Sequence, residues 1–356
     1  MTAVEQRPET PSPATLTPAA GPGDAGAHRD RLAILTCGLR LAHVISALAE
    51  LEVPTILAGG PLPVGEIAAR AGADPDALHR VLRMAASFGV FSEVAPGEFA
   101  ATALATPMRS GVPYSLRPLI DYGTKPFVAG PYGALAHTLR TGEPATRAVL
   151  GTDFWGHLRA HPDDEAFFDS MMTELGQWET ARHLDAIDPG RFGVLADLGG
   201  GHGHFLAAAL TRAPGTRGIL VDHPAVLADA DGVLADVADR VERRPGDLFA
   251  DALPQADAYV LKAVLHNWPD AEVATILRRV REAIGEAGTP LFVVEQVVGE
   301  GDGFDHGKVL DVDMLVLFGG RERTLGQWRE TFAAAGFALV NTPDTGRWTV
   351  LHAEPV

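Results

Sequence analysis

Asp197-Leu198-Gly199-Gly200-Gly201-His202-Gly203 directly follows the apolar run Val194 to Ala196 and opens onto a helical pattern that begins at His204. A strand, a glycine-rich turn and a helix in that order put the turn at the carboxyl end of a parallel strand, where open α/β sheets bind their ligands. Glycine is wanted there because a side chain would collide with a ligand brought up against the backbone. The turn fails the dinucleotide spacing G-x-G-x-x-G, since Gly199 and Gly201 would require glycine at the position that His204 holds. The next apolar run, Gly218 to Val221, ends at Asp222, a place where a carboxylate can take both hydroxyls of a ribose. An adenosine that carries no pyrophosphate satisfies both features.

Downstream of this turn, short apolar runs alternate with helical patterns: GILVD, a helix around Val226 to Asp236, AYVLK, a helix from Asp270 to Ile284, then LFVVEQVV. The alternation predicts an open α/β fold from Phe192 onward, with a parallel sheet covered on both faces. FALVN and WTVLHAE, separated by a turn at Pro343-Asp344-Thr345-Gly346, are expected to pair as a hairpin at one edge. Asp270, at the start of its helix, is expected to serve as the N-cap.

Upstream, from about Pro113 to Leu184, helix formers mix with aromatics and methionines, among them Phe154, Trp155, Phe168, Met171 and Met172. Most belong in a core, and the same residue types suit the wall of an apolar pocket. Further upstream, Val64 to Ala71, a turn at Gly72-Ala73-Asp74, a helix from Asp76 to Phe88 with Leu78, Val81, Leu82 and Ala85 on one face, and two short strands at Val90 to Val94 and Phe99 to Ala101 predict a winged helix. His28 to Glu52 is expected to form one helix, apolar nearly all round and so buried against more than one neighbour, a second chain among them. The opening residues, up to about Gly26, are rich in Pro, Thr, Ala and Gly without periodicity and are expected to be disordered.

Composition narrows the function. With 356 residues, 46% apolar and 21% charged, the chain is an ordinary globular protein of about two domains. Its formal charge of −17 repels polyphosphate backbones, and Asp74, Asp76 and Glu66 offset His79, Arg80 and Arg83 in the winged helix, so DNA is not the expected partner. The single cysteine, Cys37, admits neither an internal disulfide nor a multi-cysteine zinc site, which fits a reducing compartment. No run approaches the roughly 18 consecutive apolar residues of a membrane helix and no export signal opens the chain, so a cytoplasmic location away from membranes is expected.

The motifs DLGGGHG (197 to 203), VDHP (221 to 224), GDLF (246 to 249), LKAVLHNWPD (261 to 270) and GGRERT (319 to 324) together resemble the caffeate-type and bacterial polyketide-type O-methyltransferases, over nearly the whole chain after the tail. The resemblance implies a Rossmann-like class I methyltransferase domain (185–356) behind a mainly α-helical winged-helix dimerisation domain (28–112). A helical linker (113–184) would contribute to the substrate pocket and residues 1–27 would form a tail. It implies S-adenosyl-L-methionine as cofactor, S-adenosyl-L-homocysteine as product, a homodimer built through the N-terminal domain, and a small, aromatic, phenolic natural-product intermediate as acceptor.

By the same resemblance Asp197, Gly199, Gly201 and Asp222 hold the methionine portion and the ribose. Asp247, Leu248 and Phe249 border the adenine, and Lys262 lies near the cofactor. His266 is the general base, with Glu295 and Glu322 as the carboxylates that flank it, although Glu322 stands between Arg321 and Arg323, where an ion pair is the competing expectation. Asn267 occupies a place often acidic in the family. Phe154, Trp155, Met171, Met172, Asn267, Asp311, Met314 and Phe318 are the expected acceptor-binding residues.

The chemistry accounts for such a set. A phenol of pKa near 10 is protonated at neutral pH, and an imidazole within hydrogen-bond reach can take the proton as an activated methyl is attacked in line. A carboxylate on the imidazole fixes its tautomer. No metal is expected, because no histidine or carboxylate cluster for Mg²⁺ is evident in the sequence. Two other readings share these features: the same fold put to hydroxylation, decarboxylation or cyclisation with the cofactor as a charged scaffold, and a ligand-responsive winged-helix DNA regulator, which the charge argues against.

Overall fold

A computed structural model describes residues 25–343 and 345–356. The expected tail lies outside the described residues up to position 24, as does Asp344 in the expected turn; helix begins at Ala25. The chain divides into two compact units, residues 1–129 and 130–356.

In the first unit the single helix expected over 28–52 is two, Ala25–Leu35 and Gly38–Glu50, bent by 43°. Thr36 Oγ1 and Cys37 Sγ both turn back onto the Ala33 carbonyl at 2.7 and 3.4 Å, a local bond that competes with the helical ladder. Within the single chain Leu32, Leu35 and Leu39 are 63%, 62% and 70% exposed, so this chain alone supplies little of the cover expected for them. No single helix among the described residues is long and apolar enough to cross a membrane.

The winged helix forms as expected. Helices Val64–Ala71 and Pro75–Ser87 are joined through Gly72 at φ +65, and Asp74 Oδ1 caps the second by accepting the Ala77 N–H at 2.8 Å. Leu78, Leu82 and Ala85 are buried beside Leu48, Val53, Ile67 and Phe99. The wing is β2 (Phe91–Ala95) and β3 (Glu98–Ala101). Leu62–Pro63 adds a two-residue strand, β1, too short to leave a period-2 signal, giving an antiparallel sheet of order β1-β3-β2.

The second unit carries the predicted sheet. In chain order its strands are β4 (Val194–Leu198), β5 (Arg217–Asp222), β6 (Val241–Pro245), β7 (Ala258–Lys262), β8 (Leu291–Glu295), β9 (Val297–Val298), β10 (Arg323–Thr324), β11 (Phe337–Asn341) and β12 (Thr349–Pro355). Seven of them pair in the order β11-β12-β8-β7-β4-β5-β6, all parallel except β12, which runs antiparallel to β8 and forms the expected edge hairpin with β11. β9 and β10 make a separate parallel pair. β6 (Val-Glu-Arg-Arg-Pro) went unpredicted because it is an edge strand that carries charge where apolar alternation would reveal it.

From β4 the chain moves to β5 and β6 on one side, then returns to β7 and β8 on the other. The order reverses at β4, which makes the carboxyl ends of β4 and β7 the switch point at which open α/β sheets bind ligands. Two apolar layers hold the sheet, one including Leu261, Ile276, Val293 and Trp328, the other Leu195, Leu206, Val260 and Phe292. The helix expected over 226–236 is broken into Pro224–Ala228, Asp231–Leu234 and a 3₁₀ turn, since Asp229, Asp231 and Gly232 are poor helix formers.

Candidate active site

The glycine turn after β4 needs its glycines for different reasons. Gly199 (φ +70), Gly201 (φ +60) and Gly203 (φ +87) all occupy left-handed backbone. An added Cβ at Gly199 would strike Val264 at 2.9 Å, whereas at Gly201 nothing lies within 4 Å, leaving that face of the turn open. Asp222 at the end of β5 accepts the Gly201 N–H at 2.8 Å on Oδ2 and the His223 N–H at 2.7 Å on Oδ1, which ties the turn to the neighbouring strand and leaves a free lone pair on each oxygen. Asp197 is 1% exposed, and neither carboxylate oxygen has a hydrogen-bond partner among the described residues. Burial pushes its carboxyl up to about 7, with Lys262 acting against the shift. Burial likewise lowers the Lys262 ammonium, while Asp197, Glu295 and Glu179 pull it back up.

Farther along the sheet edge, Asp247 is exposed and its Oδ1 accepts the Phe249 N–H at 2.8 Å. Leu248 and Phe249 are half-buried, and the Phe249 ring stands edge-on to Trp268 at 4.8 Å.

His266 lies on a 3₁₀ turn, Leu265–Asn267, just past β7. The chain leaves the strand through Ala263 at φ +56, a left-handed conformation that costs a non-glycine residue roughly 1–2 kcal/mol. Glu295, fully buried at the end of β8, stabilises that turn: its Oε1 accepts the N–H groups of Val264, Leu265 and His266 at 3.1, 2.8 and 3.2 Å. The imidazole Nδ1 donates to Glu322 Oε1 at 2.7 Å and lies 3.7 Å from Glu295 Oε2. Burial alone would lower the imidazolium, but Glu295 and Glu322 outweigh it and raise it to about 9; burial in turn raises Glu295 to about 7.

Two expectations are corrected here. Pro269, not Asp270, occupies the N-cap position, and the Asp270 carboxylate instead accepts from Arg323 Nε and Nη2 at 3.0 and 2.7 Å and from Arg321 Nη1 at 3.0 Å. Both arginines are thus engaged elsewhere, and the ion pair expected to compete for Glu322 does not form. Arg323, 1% exposed, also donates to the Trp268 carbonyl at 3.1 Å, so this clamp joins the loop before the helix to the strand that presents Glu322. Asp270→Ala is expected to lower unfolding free energy in urea by only about 1 kcal/mol, since the Asp270 carboxylate is itself largely exposed.

Among the described residues, His266, Glu295 and Glu322 are the one group whose ligand atoms gather within 4.8 Å, the three residues that the resemblance put together. The His266 Nδ1 is bonded to Glu322 Oε1 and Glu295 Oε1 to three backbone N–H groups, while Glu295 Oε2 and Glu322 Oε2 are buried with no hydrogen-bond partner among the described residues.

The other expected site residues fall into two sets. Asn267 Nδ2 donates to the Ala263 carbonyl at 3.2 Å, and Asp311 Oδ1 accepts the Glu322 N–H at 2.8 Å, so both shape the His266 environment. Phe154, Trp155 and Phe318 meet in one aromatic cluster, with ring centroids 4.3 Å (154–318) and 5.5 Å (155–318) apart. Phe168 joins it at 5.3 Å from Phe154, a member the sequence did not single out from other aromatics. Phe318 closes a π-helical turn, Met314–Phe318, of a type frequent at functional sites. Met314 is buried in it, while Met171 and half-buried Met172 sit on helix Pro162–Gln177.

A sheet that reverses at a glycine turn, followed by a buried imidazole between two carboxylates, defines a Rossmann-like class I methyltransferase with a winged-helix domain ahead of it. The O-methyltransferase domain of protein-family classification matches residues 132–338, and the O-methyltransferase dimerisation domain matches residues 34–108. The chain belongs to the O-methyltransferase family, and its cofactor is S-adenosyl-L-methionine. It is 40% identical to the 8-amino-8-demethylriboflavin N,N-dimethyltransferase of Streptomyces davaonensis, over 88% of this chain and 92% of that one. It is 38% identical to the phenazine O-methyltransferase PhzM of Lysobacter antibioticus, over 90% and 94%. Among solved structures it is similar to the mitomycin 7-O-methyltransferase MmcR, with a TM-score of 0.83 at 30% identity covering 93% and 98% of the two chains. It is also similar to NcsB1 from neocarzinostatin biosynthesis in complex with S-adenosylmethionine and 2-hydroxy-5-methyl naphthoic acid, with a TM-score of 0.73 at 32% identity covering 88% and 96%.

The cofactor fits the residues present. Asp197 offers two unpartnered buried oxygens, Lys262 a charge beside them, Gly201 an open face and Asp222 two free lone pairs.

Proposed function

We propose that this chain methylates a hydroxyl group on a small, planar, fused-ring aromatic natural-product intermediate, with His266 as the general base. The observation that carries the reading is the buried imidazole whose Nδ1–H is held by Glu322 at 2.7 Å beside Glu295. That bond fixes the tautomer and leaves Nε2 as the ring nitrogen able to take a proton from an acceptor. S-adenosyl-L-methionine supplies a methyl group already activated by sulfonium charge. Orientation, exclusion of water and removal of one proton are then the tasks of the protein.

Asp222 would take the ribose hydroxyls, and Asp197, Gly199 and Gly201 the methionine portion, with Lys262 near it. Asp247, Leu248 and Phe249 would border the adenine. Phe154, Trp155, Met171, Met172, Met314 and Phe318 would wall the acceptor, with Asn267 and Asp311 as its polar neighbours. Residues 113–184 would act as the linker that contributes this wall, between a dimerisation domain at 28–112 and the catalytic domain at 185–356. The dimerisation domain supports a homodimer. The relatives named for a riboflavin, a phenazine and a naphthoate support a flat acceptor of two or three fused rings.

An amino group on such a ring is the second reading, favoured by the N,N-dimethyltransferase at 40% identity. The first test is calorimetric binding of S-adenosyl-L-homocysteine. Asp222→Ala removes a charged acceptor of hydrogen bonds and is expected to weaken binding by about 10- to 100-fold. Equal affinity in the folded variant would move the ribose site elsewhere. Mass analysis of product from hydroxyl- and amino-substituted fused arenes then separates oxygen from nitrogen.

A further inference from the structure

We infer that Glu179 and His183 are positioning residues for the His266 imidazole, acting through Trp348; the inference rests on the reading of His266 as the base. Glu179 stands at the N-cap position of helix Thr180–Ile187, and His183 follows one turn later on the same face. Glu179 Oε1 accepts the Arg347 N–H at 2.7 Å and Oε2 accepts the Trp348 N–H at 2.9 Å. His183 Nε2 lies 3.2 Å from the Trp348 carbonyl oxygen, which also accepts from Thr345 Oγ1 at 2.6 Å. Both backbone polar groups of Trp348 are therefore held by one face of one helix. The approach is so close that a Cβ on Gly346, at φ +113, would overlap the Glu179 carboxylate.

The result of this grip is the placement of one ring. Trp348 packs against the His266 imidazole at 5.5 Å between centroids and 74° between planes, an edge-to-face contact. The next residue, Thr349, is registered opposite Glu295 in the β8–β12 ladder. The indole thus sits where it can fix the plane of the imidazole while Glu322 fixes Nδ1, and two constraints are what a ring needs if Nε2 is to keep one direction. His183 is 1% exposed, and a carbonyl can only accept, so Nε2 carries its proton and Nδ1 is bare, without a hydrogen-bond partner among the described residues. Burial and the Lys262 charge lower its pKa to about 4, so it stays neutral through the working range. The charged groups that face His266 are Glu295 and Glu322; those that face His183 are Lys262, Glu179 and Arg182.

The test reads the imidazole itself in the full chain, without an acceptor. Histidine ring signals are followed by NMR between pH 6 and 10, and the His266 signal is identified as the one lost in His266→Gln. Glu179→Ala and Trp348→Ala are expected to move the His266 titration midpoint by about half a pH unit or more, because loss of the indole changes both its solvation and its angle to the carboxylates. Glu179→Gln, which keeps one acceptor oxygen, and Trp348→Phe, which keeps a ring, are expected to fall between these and the wild type. A His266 signal that titrates as in the wild type in Trp348→Ala or Glu179→Ala, with the other histidine signals dispersed as in the folded protein, overturns the proposal. Should either alanine variant fail to fold, the same comparison on Glu179→Gln and Trp348→Phe decides it, since unchanged midpoints in both also overturn it. Because turnover is not read, failure of the base assignment stays distinct: His266→Gln retaining full activity would sink that assignment and leave the titration comparison for the ring intact.

Discussion

Replacing His266 with alanine is expected to lower turnover by about 10² to 10⁴ while the affinity for S-adenosyl-L-homocysteine stays within about twofold of the wild type. The asymmetry follows from geometry. The imidazole is bound by Glu322 and flanked by Glu295, whereas the groups proposed to hold the cofactor, Asp197, Gly201 and Asp222, belong to the ends of β4 and β5. Single-turnover kinetics with a hydroxylated fused arene separates the two quantities; a rate unchanged from wild type would remove His266 from its role. The pH profile carries the sign of the same arrangement. The two carboxylates hold the imidazolium up to about 9, so the neutral ring, the form able to accept a proton, becomes populated as pH rises toward that value. For an acceptor whose hydroxyl ionises above pH 10, kcat/KM is expected to rise about tenfold per pH unit from neutrality and to level off near 9. In Glu322→Gln the carboxylate partner is lost, the imidazolium is less favoured, and the rising limb should move to lower pH.

The parts of this molecule that were legible in its sequence are those where one short segment carries both the fold and the chemistry. The turn at 197–203 showed a strand end, a helix start and a backbone open to a ligand at once, and β7 with the helix Asp270–Ile284 fell where their apolar periods put them. Elements whose stability comes from elsewhere were not legible. β6 is a charged edge strand, β1 has two residues, and the bend at Thr36-Cys37 arises from side chains bonding back to Ala33. In the site, Glu295 and Glu322 were named through family likeness, but their division of labour depends on long-range geometry. Glu295 receives the backbone of the turn, Glu322 receives the ring, and Asp270 neutralises the arginines on either side of Glu322. The roles of Trp348, Glu179 and His183 were invisible because each meets its partner more than 80 residues away, and the strand pattern that begins at Trp348 says nothing of what its ring touches.

Gly320→Ala is expected to reduce turnover by about 10- to 100-fold and to destabilise the fold by about 1–3 kcal/mol, with the winged-helix domain unaffected. The backbone at 320 is not in the left-handed region, so the demand for glycine there is one of space alone. An added Cβ would overlap the His266 carbonyl oxygen and lie 2.5 Å from the Asn267 carbonyl carbon, and these are backbone atoms with no rotamer to retreat into. The next residue binds the same place, since the Arg321 N–H donates to the His266 carbonyl at 2.8 Å. Any displacement that relieves the overlap therefore separates the segment that presents Glu322 from the turn that presents His266, and the 2.7 Å bond between them is the first to lengthen. Urea unfolding gives the loss of stability, and the midpoint of the pH–rate profile reports the loss of the bond: it should fall toward the ordinary imidazole range as the carboxylate withdraws. A variant that kept the wild-type midpoint while losing stability would show that the collision is absorbed without moving Glu322, and would place the anchoring of the base in Glu295 and the Arg323 clamp instead.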